Sequence, residues 1–172
     1  MDLRSNYGGN MWGPLAAVGA VLGDGEVGSF VAADGTRIPW TMKNGTPRDY
    51  LDDWGPAEPL ARPMPPVAVL TGRTTGSAAE AVALAFRGRP VTRSFGVPTA
   101  GLATANVVHP LPDGAVIVLT QRWEADRTGR VQKGPLTPDT EVHDDARDTS
   151  RPGDQVLTAA TRWLAAQSAC RA

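Results

Sequence analysis

Cysteine is almost missing from this 172-residue chain, with Cys170 near the C-terminal end standing alone. An internal disulfide framework and a cysteine-based metal site are thereby excluded. Neither charge is in excess, with 17 Lys plus Arg against 18 Asp plus Glu. No basic field therefore exists to draw in nucleic acid or an anionic surface through counterion release. No run approaches the roughly eighteen apolar residues of a membrane-crossing helix, which excludes a chain that spans a membrane by helices. Histidine occurs only at His109 and His143, and lysine only at Lys43 and Lys133, so groups able to act as a general base near neutral pH are scarce. What remains, 41% hydrophobic and 20% charged residues, suits a globular domain of a length that supports one core but not two.

Glycine and proline, 19 and 15 of them, punctuate what is there. Residues Met1, Asp2 and Leu3 read as the end of a strand, followed at once by a glycine-rich loop and without the basic and apolar stretch of a signal peptide. The chain thus opens like the middle of a domain. Asn10 as an N-cap and Gly23 as a stop predict one buried helix over Met11 to Leu22. A short strand pair is expected around Gly28 to Trp40, then an extended loop closed by Pro63 to Pro66. Val67 to Leu70 reads as a strand covered on both faces, and the residues after Gly76 as a buried helix through Phe86, ending near Gly88. With Val91 to Phe95 as the next strand, this is half of a crossover unit. Val107-Val108 and Ala115 to Trp123 read as strands joined by a Pro112-Asp113-Gly114 turn, with another turn at Arg127 to Gly129. Val156, Leu157, Ala160, Trp163 and Leu164 follow helical spacing and predict a final amphipathic helix packed on the sheet. The sum is an α/β layered structure with helices covering a mixed sheet.

Ser77 draws the chemistry. A serine between a buried strand and the first turn of a buried helix sits where free N–H groups and the helix dipole favour an anion. Acyl transfer needs that setting, because the tetrahedral intermediate carries a negative oxygen. Ala78 would supply one donor and Gly8 or Gly9 of the Asn6-Tyr7-Gly8-Gly9 loop the other. Ser77 also reads as a plain N-cap, with Glu80 three residues on completing a capping box.

Five blocks then carry a resemblance. They are Asp2-Leu3-Arg4-Ser5-Asn6-Tyr7-Gly8-Gly9, Val69-Leu70-Thr71-Gly72 leading into Thr74-Thr75-Gly76-Ser77-Ala78-Ala79-Glu80, Phe95-Gly96-Val97-Pro98-Thr99-Ala100-Gly101, Leu111-Pro112-Asp113-Gly114, and Pro138-Asp139. In this order they resemble the tail-specific, or C-terminal-processing, serine peptidases over nearly the whole chain. The resemblance implies a crotonase-like mixed sheet covered by helices in a single layered domain. It further implies Ser77 as nucleophile and an oxyanion hole from the Ala78 amide and a glycine of the Gly8-Gly9 loop. Glu80 would support the site, and no cofactor or metal is required. The substrate would be a peptide or protein, and the family leaves room for a homo-oligomer and for an exported full-length protein.

The base departs from the serine–lysine branch of that family, in which a lysine stands where this chain has Leu102. Lys43 lies in the proline-rich segment and Lys133 beside a turn, and a solvated lysine with a pKa of about 10 is a poor base. His109 precedes a proline and His143 adjoins Asp144 and Asp145, so each reads as a turn or solvated position. The histidine-using branches take their histidine from a region upstream of the Asp-Leu-Arg block. The chain is therefore expected to be the C-terminal part of a larger catalytic domain, with the upstream strand, cap and base-bearing segment outside it, and to be inactive in isolation.

Other signals carry less. Asp144, Asp145, Arg147 and Asp148 read as a solvated connection into the last helix, without metal-ligand spacing. Trp12, Trp40, Trp54, Trp123 and Trp163 are too scattered for a stacking platform, and core packing is the default for most. Gly8-Gly9 lacks the context of a phosphate loop. Three function classes stay open: a serine peptidase domain, a catalytically silent module holding a peptide or apolar ligand in the same groove, and a crotonase-like acyl-transfer enzyme.

Overall fold

Burial along one short strand shows how the layers stack. In the computed structural model, which describes residues 1–62, 64–143 and 153–170, every residue from Val67 to Thr71 is buried. Val67 and Val69 join one apolar cluster with Leu15, Leu22, Val82, Leu84 and Phe86, while Ala68 and Leu70 join a second with Phe95, Val156 and Ala160. Successive side chains of a strand point to opposite faces, so this strand has an apolar cluster on each side, two where the chain length had suggested a single core.

In chain order the elements are α1 (Trp12–Ala17), α2 (Gly19–Leu22), β1 (Gly25–Ala32), β2 (Arg37–Lys43), β3 (Thr46–Pro47), α3 (Leu51–Trp54), β4 (Val67–Thr71), α4 (Ala78–Phe86), β5 (Thr92–Gly96), β6 (Thr104–Pro110), β7 (Val116–Asp126), β8 (Thr140–Glu141) and α5 (Gln155–Ala165). Short 3-10 turns cover Arg48–Tyr50 and Ser168–Cys170. The strands divide into two sheets instead of the one mixed sheet expected. One is antiparallel, in the order β3-β2-β1-β7-β6, and the other is β4-β5-β8, with β4 and β5 parallel. Helix α4 is buried along its whole length and packs against β1 and β7 on one side and β4 on the other. Helix α5 covers the far face of β4 and β5 through Val156 and Ala160. The layers are therefore antiparallel sheet, helix, parallel sheet, helix, a mixed α/β architecture.

Residues 1–3 do run as extended chain beside β4. Asp2 forms a parallel bridge with Leu70, the Leu3 amide donates to the Leu70 carbonyl at 2.9 Å, and the Leu70 amide to the Met1 carbonyl at 2.8 Å. The helix expected over Met11 to Leu22 is broken at Val18, whose backbone leaves helical geometry at φ −107° and ψ 5°. The cause is close packing: a Cβ on Gly19 would lie 1.7 Å from the Gly45 carbonyl oxygen, so the two backbones touch where a straight helix would pass. The extended loop after β2 contains α3. Three of the five tryptophans meet the cores as expected, Trp40 within one cluster and Trp12 and Trp163 packed against the two clusters, whereas Trp54 is 47% and Trp123 38% exposed. Trp40, Phe30, Trp12, Tyr50 and Trp54 form a continuous run of ring contacts with centroids 4.4–6.5 Å apart. The Asp144 to Asp148 charge run and Pro63 lie outside the described residues.

Candidate active site

Strand β4 and helix α4 are joined by Gly72 to Ser77, and the turn ends in an unusual backbone. Ser77 has φ 52° and ψ −119°. A helix N-cap ordinarily takes extended dihedrals, and positive φ in a residue with a Cβ costs energy that surrounding contacts must offset. Those contacts are on hand. The Ser77 amide donates to Glu80 Oε2 at 2.9 Å, the Gly76 amide to the Asn6 carbonyl at 3.1 Å, and the Ala79 amide to the Gly76 carbonyl at 3.0 Å. Ser77 is half-buried at this turn, and the capping box expected with Glu80 is formed, although the positive φ goes beyond what a cap requires.

The Asp2 to Gly9 loop is fastened against this turn. Thr75 Oγ1 donates to the Leu3 carbonyl at 2.8 Å, and Thr74 Oγ1 donates to the Arg4 carbonyl. Arg4 holds Asp2 at 2.6 Å and Asp154 at 2.7 Å, and Asp154 in turn caps α5 by accepting from the Leu157 amide at 2.8 Å. Gly8 adopts φ 112°, and a Cβ there would meet the Gly76 carbonyl oxygen and Ser77 Cβ at 2.8 Å each. Only glycine lets the loop come this close. The Gly8 amide is already engaged by Asn6 Oδ1 at 2.9 Å.

Glu80 is fully buried, and four donors converge on its carboxylate: the Ser77 amide, Thr99 Oγ1 at 2.5 Å, the Gly101 amide at 2.9 Å and the Leu102 amide at 2.7 Å. Charge-assisted bonds of this kind are about twice as strong as neutral ones. Thr99 extends the chain by accepting from the Leu136 amide at 2.8 Å. Glu80 thus ties two of the five sequence blocks, its own and the Phe95 to Gly101 block, together beneath the serine.

Ser77, Ala78 and Gly9 line one open cleft together with Asn10, Met11, Trp12, Phe30, Tyr50, Thr104, Ala105, Asn106 and Glu124, Phe30 standing directly opposite Glu124 across β1 and β7. Glu124 was not evident from the sequence. It is 2% exposed, and its Oε2 lies buried without a hydrogen-bond partner among the described residues. Burial and, secondarily, the neighbouring Glu80 carboxylate push its pKa from 4.5 up to about 8. It stands near the end of β7, where a stretch from Val116 to Trp123, exposed except for half-buried Arg122, gives way to Glu124, Ala125 and Asp126, all buried. Asp126 binds the following turn through Thr128 and Arg130, whereas Glu124 faces the cleft. A carboxyl two residues from a turn-capping Asp gives no sequence sign of this difference.

The remaining candidates do not line the cleft. His109 lies on β6, its Nε2 3.3 Å from Gln121 Nε2. His143 is exposed and pairs with Glu141 at 3.0 Å. Lys43 is exposed at the end of β2, and Lys133 Nζ sits 6.0 Å from the Trp123 ring. Leu102 is 55% exposed.

With this arrangement in view, comparison with known proteins decides the family: the model of peptidase family S41 matches residues 1–142. The chain belongs to peptidase family S41. It is 29% identical over 144 residues to the nisin-resistance protein of Lactococcus lactis subsp. lactis, covering 83% of this chain and 45% of that protein. Among solved structures it resembles a lipoprotein from Streptococcus agalactiae, with TM-score 0.72, 28% identity, and coverage of 95% of this chain and 52% of the other. It also resembles the photosystem II D1 C-terminal processing protease, with TM-score 0.65, 22% identity, and coverage of 98% and 39%. The last likeness shows a shared mixed α/β fold. This S41 chain spans about half the length of the relatives it matches.

Proposed function

We propose that this chain carries the nucleophile half of a serine peptidase that hydrolyses peptide bonds, with Ser77 attacking the scissile carbonyl. The observation that carries the reading is the strained φ of Ser77 at the β4–α4 turn, in a cleft it shares with Ala78 and Gly9. The Ala78 and Gly9 amides are the donors for the developing oxyanion; Gly8, whose amide serves Asn6, acts by its closeness to the turn. Glu80 is a positioning residue that fixes the nucleophile and the Thr99 to Leu102 loop.

Ser77 needs a base to take its proton, and among the described residues neither histidine nor either lysine lines the cleft. In this reading the base is a histidine from the part of the protein that corresponds to the other half of the relatives, as in the histidine-using branch. The catalytic domain is then larger than these 172 residues, and the isolated chain has little activity. The unpartnered Oε2 of Glu124 supports a role for that carboxyl in orienting the incoming base.

A fluorophosphonate probe tests the assignment. In a protein extended to the relatives' full length, Ser77 is labelled, and Ser77→Ala abolishes both labelling and proteolysis. Labelling that survives the substitution overturns the assignment. The lack of a base in the cleft also favours a second reading, a silent peptide-binding module. That reading requires binding without turnover in the same extended protein, and hydrolysis there excludes it.

A further inference from the structure

The strand that carries Thr104, Ala105 and Asn106 into the cleft is also, among the described residues, the edge of a sheet. Strand β6 stands last in the order β3-β2-β1-β7-β6, and its Thr104, Ala105 and Asn106 line the cleft beside Ser77. Its backbone polarity can be assigned. The Ala103 carbonyl accepts from the Glu124 amide at 3.1 Å, and the Leu111 amide donates to the Ala115 carbonyl at 2.8 Å, so residues 103 and 111 face β7. The register irregularity between Ala105 and Asn106 skips Gln121 on β7 and adds nothing to β6. Alternation along an antiparallel strand therefore turns the N–H and C=O groups of 105, 107 and 109 toward β7 and those of the even residues outward. Pro110, which has no N–H, falls on the outward side, where edge-strand prolines belong. The Thr104 amide is taken by the Leu102 carbonyl at 2.7 Å. Asn106 and Val108 are left as the open pairing positions, starting at the cleft and leading away from it.

The surface along this edge is apolar and nearly free of charge. Val108, Val116 and Val118 are each 58% exposed, with Val108 opposite Val118 and Pro110 opposite Val116. From residue 102 to residue 121 the one charged side chain is Asp113. An exposed, flat, apolar edge invites another strand, and its continuity with the Ser77 cleft says which strand.

We propose that β6 holds the peptide substrate by strand addition: an extended segment on one side of the scissile bond pairs with Asn106 and Val108, and its alternate uncharged side chains lie beside those of Asn106 and Val108. This rests on the peptidase reading and extends it to how substrate is selected. Main-chain bonds would supply affinity, and the uncharged hairpin would disfavour charged residues at the alternate positions.

The experiment follows backbone hydrogen exchange in the full chain carrying Ser77→Ala, with millimolar capped hexapeptide of alternating Thr and Val. The Asn106 and Val108 amides gain protection, while Val107 and His109, already bonded to β7, change little. A copy of the peptide N-methylated at every amide gives no protection, and Val108→Pro, which removes an outward donor, weakens binding by about three- to tenfold. Equal protection by the methylated peptide, or protection confined to other strands, overturns the proposal. Protection of Asn106 and Val108 that grows with protein concentration without peptide, together with a doubled mass, also overturns it by assigning the edge to a second copy. Fluorophosphonate labelling of the unsubstituted Ser77, measured in parallel in the protein extended to the relatives' full length, separates the two ideas. Labelling without edge protection faults the strand addition alone, and edge protection without labelling faults the peptidase reading alone.

Discussion

Replacing Glu124 by glutamine should stabilise the protein at neutral pH, and the gain should grow with pH in a way that can be worked from the structure. The folded-state pKa of about 8 stands well above the ordinary value of 4.5. Between those values the folded state retains a proton that the unfolded chain releases, so stability falls as pH rises, by up to about 1.4 kcal/mol per unit. From pH 5 to pH 7 that amounts to roughly 2–3 kcal/mol at most, and the loss levels off above about pH 8. Glutamine keeps the shape and removes the titration. The assay is urea unfolding of both proteins at pH 5, 6, 7 and 8, read as the difference in midpoint free energy so that all other carboxylates cancel. The expected difference is small at pH 5, increases in favour of the variant through pH 7, and flattens near pH 8. A difference that stays constant with pH would refute the buried, protonated carboxyl. A difference of opposite slope would show that Glu124 is ionised and paired in the folded state.

Three further outcomes follow from the same contacts. Gly8→Ala places a Cβ at 2.8 Å from both the Gly76 carbonyl oxygen and Ser77 Cβ, and should cost about 2 kcal/mol or more of stability and at least tenfold in fluorophosphonate labelling rate; Gly9→Ala, with open space around its Cβ, should cost less stability. Glu80→Gln turns one acceptor into a donor that faces N–H groups, so unfolding should be easier by about 2–4 kcal/mol and hydrogen exchange should quicken at Gly101 and Leu102. Asp154→Ala removes both the α5 cap and the Arg4 pair, and should lower the thermal midpoint in proportion to about 1–3 kcal/mol. An unchanged midpoint would show that the Arg4 link contributes nothing net.

Local rules made much of the fold legible. The β4 to β5 unit could be read because a fully apolar strand, a Gly-Ser turn and an unbroken apolar helix each announce themselves within ten residues. The β6–β7 hairpin was legible from Pro112-Asp113-Gly114, where Asp113 Oδ1 accepts from the Ala115 amide at 3.0 Å. What the sequence hid was contact between distant segments. Gly19 meeting Gly45 broke the first helix. The division into two sheets follows from α4 being buried on both sides, which its apolar composition allows without dictating. The aromatics looked scattered because their ring contacts depend on β1, β2, α1 and α3 arriving together.

The two carboxyls show the limit most sharply. Glu80 could be found because its spacing from Ser77 fits a helical turn, and local spacing also explains its bond to the Ser77 amide. Its other three donors come from Thr99, Gly101 and Leu102, so its weight in the site is a tertiary fact. Glu124 Oε2 has no hydrogen-bond partner among the described residues, and that lack together with the nearness of Glu80 is what makes this carboxyl chemically distinctive. One buried carboxyl saturated with hydrogen bonds beside another left short of them is how a fold sets two acids to different tasks. Here the saturated one holds geometry, and the unsaturated one faces the cleft with its proton still bound. A cation brought beside Glu124 would lower its pKa and release that proton. Arrival of a protonated base would therefore be coupled to ionisation of this carboxyl, and the pH dependence of the Glu124→Gln difference should diminish in the protein extended to the relatives' full length.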